Sequence, residues 1–241
     1  MVDFEKEFGK WNGQSVPGYV EAKVQIAATF RIVYGWMCAG LALSGVVAWY
    51  VASTGAYKTI LSGPGLIICV VAELALVLTL SAAIGKIPVA LAYLLYAAYA
   101  AVNGLTLSVV FLAYELSSVT RVFFITAATF GGVAVYGTVT KNDLTGIGSF
   151  CGMALWGLIV ALVVNMFLGS GGLDILISFA GVIIFTGLTM YDAQKIKQVA
   201  AKESTLDSAA VKRLGIMGAL SLYLDFVNLF LYALRILGKR R

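Results

Sequence analysis

The chain has 241 residues, 61% of them apolar or aromatic and only 12% charged, with a mean hydropathy of +0.94 and a formal net charge of +5. A soluble domain carries about 25% charged residues, so these proportions exclude a water-exposed fold and place the chain in a bilayer. There is no histidine, which removes His-based acid–base catalysis, His-ligated haem and HExxH zinc sites.

Residues 1–29 mix acids and bases (Asp3, Glu5, Lys6, Glu7, Lys10, Glu21, Lys23) with Gly13, Pro17 and Gly18. They read as a short polar tail rather than a cleavable signal peptide, leaving 30–241 as one membrane domain. Apolar stretches follow at about 30–53, 64–85, 88–113, 119–140, 147–169, 172–194 and 215–237, separated by turn or charge markers such as Ser62-Gly63-Pro64, Lys141-Asn142-Asp143 and Gly169-Ser170-Gly171-Gly172. Each is long enough to cross about 30 Å of hydrocarbon as a helix. The period-two alternation of a membrane β-barrel is missing. The fold class is therefore all-α, a polytopic membrane protein of seven transmembrane helices. The one substantial loop, 195–213, is polar, contains no Gly or Pro, and is expected to carry helical turns.

Cys38, Cys69 and Cys151 lie in separate apolar runs and read as packing residues. Gly146, Gly148 and Gly152 follow no strand and open no phosphate loop; no small-molecule cofactor is implied. The positive charge clusters beside apolar segments and speaks to orientation rather than to nucleic acid. The tail, Lys86, Lys141 and the 195–213 loop hold most of the Lys and Arg. Lys58, Arg121, Arg235, Lys239, Arg240 and Arg241 fall on the other side. A cytoplasmic N-terminus follows. A last segment that re-entered instead of crossing would bring the basic C-terminal residues back to that side. The remaining cations at span ends, Arg31, Lys195, Lys197 and Arg235, read as snorkelling side chains. Trp11, Trp36, Trp49 and Trp156 read as interfacial or packing aromatics.

An acidic side chain deep in a transmembrane helix costs on the order of 2.5–3.5 kcal/mol on insertion scales. Glu73 in the second span, Asp192 near the end of the sixth and Asp225 in the seventh meet that description. On the seventh span Ser221, Asp225, Asn228 and Tyr232 recur at i, i+4, i+7 and i+11 and share one face of an otherwise apolar helix. Such a stripe belongs against protein or water, so the seventh helix is expected at the centre of the bundle. The third span offers Tyr96, Tyr99, Asn103 and Thr106, and Thr189 precedes Asp192 by one turn. Together they could line a polar pathway. The hydroxyl and amide residues read first as interhelical hydrogen-bond glue, worth about 0.6 kcal/mol each. Asp192 and Asp225 read as functional, because Asn would serve better as glue. Glu73 reads equally either way.

The depths of the two aspartates match if the embedded part of the seventh helix starts near Leu220. Two carboxylates that close in a low dielectric cannot both ionise cheaply, so they hold a shared proton. Its loss leaves two repelling charges that attract a cation or part the helices. Such a pair is a pH-sensitive latch. No nucleophile or metal cage accompanies the acids, so the chain is not expected to be an enzyme.

The run Phe185-Thr186-Gly187-Leu188-Thr189-Met190-Tyr191-Asp192-Ala193-Gln194-Lys195-Ile196-Lys197, followed by Leu220-Ser221-Leu222-Tyr223-Leu224-Asp225-Phe226-Val227-Asn228-Leu229-Phe230-Leu231, strongly resembles the Bax inhibitor-1, or transmembrane Bax-inhibitor-motif, family. Glu73, Asn103 to Ser108, Phe130 to Gly132 and Gly137 to Leu144 match as well, so the resemblance covers about 25–238. The short loops and tail are similar to those of a bacterial inner-membrane member. The resemblance implies a seven-helix bundle with the last helix in the middle. It also implies a pH-sensitive calcium or cation leak controlled by a di-aspartyl pair, mapping onto Asp192 and Asp225 as gate and transient calcium ligands. The bacterial leak members carry an arginine late in the second span that helps hold the closed state; here Ile84 stands near that place, with Lys86 the closest cation. Other bacterial relatives are associated with a membrane quality-control protease, which makes regulation of such a partner the rival reading.

Overall fold

A computed structural model describes residues 17–60, 62–202 and 208–241, without the side chains of 17–22 and 202. The polar tail before Pro17, Trp11 included, and the middle of the 195–213 loop lie outside the described residues. The described residues form eight helices: α1 (Pro17–Thr54), the single turn α2 (Tyr57–Ile60), α3 (Gly65–Ala83), α4 (Val89–Ala113), α5 (Leu116–Val139), α6 (Thr145–Leu168), α7 (Gly171–Lys202) and α8 (Ser208–Leu237). All but α2 are long and apolar enough to span a membrane, as the seven uninterrupted apolar runs require. The molecule is a polytopic all-α membrane protein.

Two of these helices run further than their apolar stretches. α1 begins at Pro17, thirteen residues before the apolar stretch expected from 30, in keeping with the preference of Pro for a first turn. At 1.5 Å per residue its 38 residues reach about 57 Å, so the helix projects well beyond the hydrocarbon. α7 likewise continues through Lys195 and Lys197 to Lys202, and α8 starts at Ser208. The expected helical turns thus take up most of the 195–213 loop. α8 is unbroken over 30 residues, about 45 Å, and therefore crosses rather than re-enters.

α8 is the centre. It packs against α1, α4, α5 and α7, whereas α3 leans mainly on α4 and α6 on α7. Of its spanning window 67% is buried, against 11% for α3 and 17% for α6. The burial follows from composition: α6 has no charged residue and α3 only Glu73, while α8 carries the polar stripe that lipid cannot solvate.

Small residues set the closest approaches. A Cβ on Gly137 of α5 would strike the Met190 backbone, one on Gly148 of α6 would enter the Tyr191 ring, and one on Gly187 of α7 would meet the Cys151 sulfur. On α8, Gly215 sits against Ile32 and Gly218 against Val33 and Ile196. Gly152, by contrast, has open space around it, so only one member of the Gly148-xxx-Gly152 pair makes a close approach. Cys151 and Cys69 are buried as packing residues, but Cys38 is exposed.

At the end of the bundle away from Lys86 and Lys141, residues 238–241 fold back over the α4–α5 turn. Arg241 N–H donates to Ala113 O, Glu115 N–H to Lys239 O, and Lys239 N–H to Ser118 Oγ. Lys239 Nζ reaches Glu115 at 2.8 Å, while Arg235 and Arg240 reach Asp174 of α7 at 3.4 and 3.8 Å. Arg235 also lies over the Tyr232 ring. It is an exposed ion-pair partner at the end of α8.

Candidate functional site

α7 and α8 together present the acidic pair. α5 and α6 press on α7 through Gly137 and Gly148 at Met190 and Tyr191, fixing the helix immediately before Asp192. The next turn is held just as firmly. Gln194 Oε1 accepts the Leu144 N–H at 2.9 Å, and its Nε2 donates to Asn142 O at 2.8 Å. Lys197 Nζ donates to Thr138 O at 2.5 Å, capping the end of α5. Lys197 is thus a helix-capping donor, not a snorkelling one; Lys195 lies over the Tyr191 ring, 5.7 Å from its centre. The Tyr-Asp-Ala-Gln-Lys-Ile-Lys run therefore carries its own scaffold: Gln194 and Lys197 clasp the α5–α6 turn, and the aspartate before them is left to face α8.

Across that interface Asp225 lies close enough to Asp192 for their charges to act directly on one another. Ser221, one turn earlier on α8, lies beside the Asp192 carboxylate, with Lys195 nearby. Asp192 is half-buried and Asp225 is 5% exposed. Asp225 Oδ2 is fully enclosed without a hydrogen-bond partner among the described residues. A buried polar atom left in that state costs about 1–3 kcal/mol, more for a charged group. Thr189 is buried one turn away and spends its hydroxyl on Phe185 O at 2.7 Å.

The expected single stripe on α8 divides. Ser221, Asp225 and Tyr232 look toward α7, where Tyr232 stacks on Phe185 at 5.8 Å. Asn228 instead lines a cavity of about 440 Å³ between α3, α4 and α8, together with Glu73, Tyr99, Asn103 and Thr106. The reason is geometric. A central helix has neighbours on several sides, so residues only a few tens of degrees apart in azimuth meet different partners.

That cavity is the wall of a second polar cluster. Thr106 Oγ1 donates to Glu73 Oε1 at 2.8 Å, and the Asn103 side chain lies beside the Glu73 carboxylate. Tyr223 Oη donates to Asn103 Oδ1 at 2.9 Å and meets Ser44 Oγ at 2.6 Å, while Ser44 reaches Ala100 O at 2.7 Å. Tyr96 and Tyr99 pack edge-on against the Tyr223 ring. One hydrogen-bonded chain thus ties α1, α8, α4 and α3 together. Sequence reasoning missed Ser44, Tyr223 and Gln194. Tyr223 and Gln194 lie two residues from the aspartates in the same motifs, which was the available signal. Ser44 had none beyond being a hydroxyl in an apolar run.

The place of the late-second-span arginine is taken by Ile84, packed against the core. The cation that reaches the α3–α4 turn comes from α8 instead: Arg213 Nη2 donates to Ile87 O at 3.1 Å. Among the described residues no three His, Cys, Asp or Glu side chains gather as a metal cage.

Comparison with known proteins places this geometry in a family. The model of the family described as "Inhibitor of apoptosis-promoting Bax1" matches residues 27–241. The chain is 44% identical to inner membrane protein YbhL of Escherichia coli K12 over 224 residues, covering 92% of this chain and 96% of that protein. It is 43% identical to an uncharacterized protein of Borreliella burgdorferi over 211 residues, 87% and 90% of the two chains. It is 36% identical to the uncharacterized membrane protein SpyM3_0260 of Streptococcus pyogenes over 228 residues, 92% and 96%. With seven spans, a central last helix and a family match over nearly its whole length, the chain belongs to the Bax inhibitor-1 family.

Proposed function

We propose that this protein is a multi-pass bacterial inner-membrane leak for calcium or related cations, gated by protonation of the Asp192–Asp225 pair, with its N-terminus in the cytoplasm. The observation that carries the reading is the enclosure of Asp225 beside Asp192, with one carboxylate oxygen lacking any hydrogen-bond partner among the described residues. Two carboxylates in one dry interface share a proton, and the protonated pair holds α7 and α8 together. When the proton leaves, like charges face each other with only Lys195 close by, and a cation or water must enter to separate them. The orientation rests on the excess of Lys and Arg at the Lys86, Lys141 and 195–213 end. Membrane placement follows the likeness to YbhL.

Calcium takes about six to eight oxygens. The aspartates and Ser221 supply fewer, so the cation passes through with part of its hydration rather than residing there. Glu73 and Asn228, which line the cavity toward α3 and α4, are a second polar station on another side of α8.

The test is flux from calcium-loaded liposomes holding the purified protein, measured across pH. The expected result is a pH-dependent leak in the wild type that becomes flat with pH in Asp225→Asn and Asp192→Asn. Wild-type liposomes that leak no faster than empty ones at any pH would overturn the reading, and capture of a membrane protease by the same inactive protein would then favour the scaffold role.

A further inference from the structure

The wall around α8 is incomplete. α4 and α5 scarcely touch, and α1 does not close the gap between them. The result is a lateral groove of about 320 Å³ whose sides include Gly45, Leu107, Phe123 and Phe124 and whose floor is Phe226 and Phe230 of the central helix. Apart from the hydroxyls of Ser44 and Thr120 its lining is apolar. It opens at bilayer depth, where Phe124 is 66% exposed.

Size and charge decide what fills it. A helix about 10 Å across needs roughly 400 Å³ for one turn, so a transmembrane segment does not fit. A stretch of one hydrocarbon chain does, the rest of the chain running on among the surrounding lipids. The groove reaches Thr120, in the second turn of α5, so one end lies near the membrane boundary. There the exposed Arg121 follows Thr120 in sequence. A chain seated against Phe226 therefore has a cation beside the level of its headgroup.

We propose that the groove between α1, α4 and α5 is a binding site for one phospholipid, its acyl chain laid against α8 and its phosphate beside Arg121. The lipid replaces the missing section of wall and keeps the floor of the groove dry one residue from Asp225. The site stands apart from the transport reading, since it needs no flux to be detected.

Gly45 provides the test, because a Cβ there meets nothing within 4 Å. Gly45→Phe projects a ring into the groove without displacing a neighbour. Native mass spectrometry of the full chain released from phospholipid nanodiscs should show one retained phospholipid in the wild type and its loss in Gly45→Phe. Arg121→Gln should retain it about fivefold less tightly, the size of one cation–headgroup contact. A second measurement needs no variant. A phospholipid carrying a diazirine in its acyl chain should label Phe226, Val227 and Phe230, which are otherwise buried at 3%, 6% and 8% exposure. Labels confined to the outer faces of α3 and α6 would overturn the proposal. Equal retention by Gly45→Phe would do so too, as would a crosslink joining two chains across this groove.

Discussion

The molecule keeps two acidic sites in its spanning region, and they are built in opposite ways. Glu73 faces donors from α4, with Thr106 on its carboxylate and Asn103 beside it, and the chain continues through Tyr223 to Ser44. Asp225 faces another acid and leaves an oxygen unmatched among the described residues. Glu73 is thus part of a satisfied network that fixes the relative placement of four helices. In the gate proposed above, the aspartates form a site whose stability depends on one proton. The intramembrane cost of a carboxylate is similar in the two places; what differs is whether the neighbours remove it. An acid alone in a span is therefore a weak indicator of function, and its partners decide.

Five substitutions break or sharpen that contrast. The largest effect is expected from Gly137→Val, whose side chain would strike the Met190 backbone. Overpacking of this kind costs about 1–3 kcal/mol or more, and backbone has nowhere to move. Folded protein recovered in detergent should fall sharply, with α7 and the aspartate pair displaced. Tyr223→Phe comes next. It strands Asn103 Oδ1 and removes the Ser44 contact, for about 1–3 kcal/mol, read as a lower thermal midpoint with α4 and α8 exchanging amide hydrogen faster.

Gln194→Ala should cost somewhat less: it strands the buried Leu144 N–H, while Asn142, whose carbonyl is the other partner, is exposed and can bond water instead. Hydrogen exchange should rise at 140–146 and little elsewhere. Asp225→Asn has the opposite sign. Removing one of two facing charges should raise the thermal midpoint at alkaline pH by a few degrees and change it less at acid pH, where the proposed shared proton would already relieve the repulsion. A midpoint lowered equally at both pH values would show that Asp225 is as well satisfied as Glu73, and the contrast would collapse.

The smallest effect belongs to Asp143, at the turn outside the spans. Hydrogen bonds from the Thr145 hydroxyl and N–H hold its carboxyl below the usual carboxylate value. A depressed folded value means that this turn's stabilisation is present above the unfolded carboxylate range and lost as pH falls through the folded one. Titration followed by NMR at Asp143 should show the low midpoint, and Thr145→Ala should move it back up.

Much of this was legible from residue order. Continuous apolar runs of about 20 residues can only be spans, and one polar stripe on an otherwise greasy α8 requires a central position. The acids at Asp192 and Asp225 stood out because a bilayer penalises them. Less legible was everything that depends on azimuth. Asn228 and Asp225 are three residues apart, yet one lines the Glu73 cavity and the other meets α7. Nothing in the spacing separates them, because both fall inside one nominal face. Gln194 and Lys197 looked like the polar end of a span, and their work at the α5–α6 turn emerges only when Thr138 and Asn142 are brought alongside. The extension of α1 past its apolar stretch was hidden for a related reason: polar helical turns leave no hydropathy signal.

The burial of α8 has a consequence for how the protein is made. Spans reach the translocon in chain order, and domains assemble broadly from the N-terminal side during synthesis. Here the helix around which the other six arrange themselves is the last of the seven to be delivered. Until it arrives, Ser44, Asn103 and Asp192 belong to half-built surfaces with no central partner, exposed to lipid or to whichever insertase or chaperone attends the nascent chain. Assembly is thus an enclosure completed from within, and a ribosome stalled before Ser208 would leave a ring of helices around an absent axle.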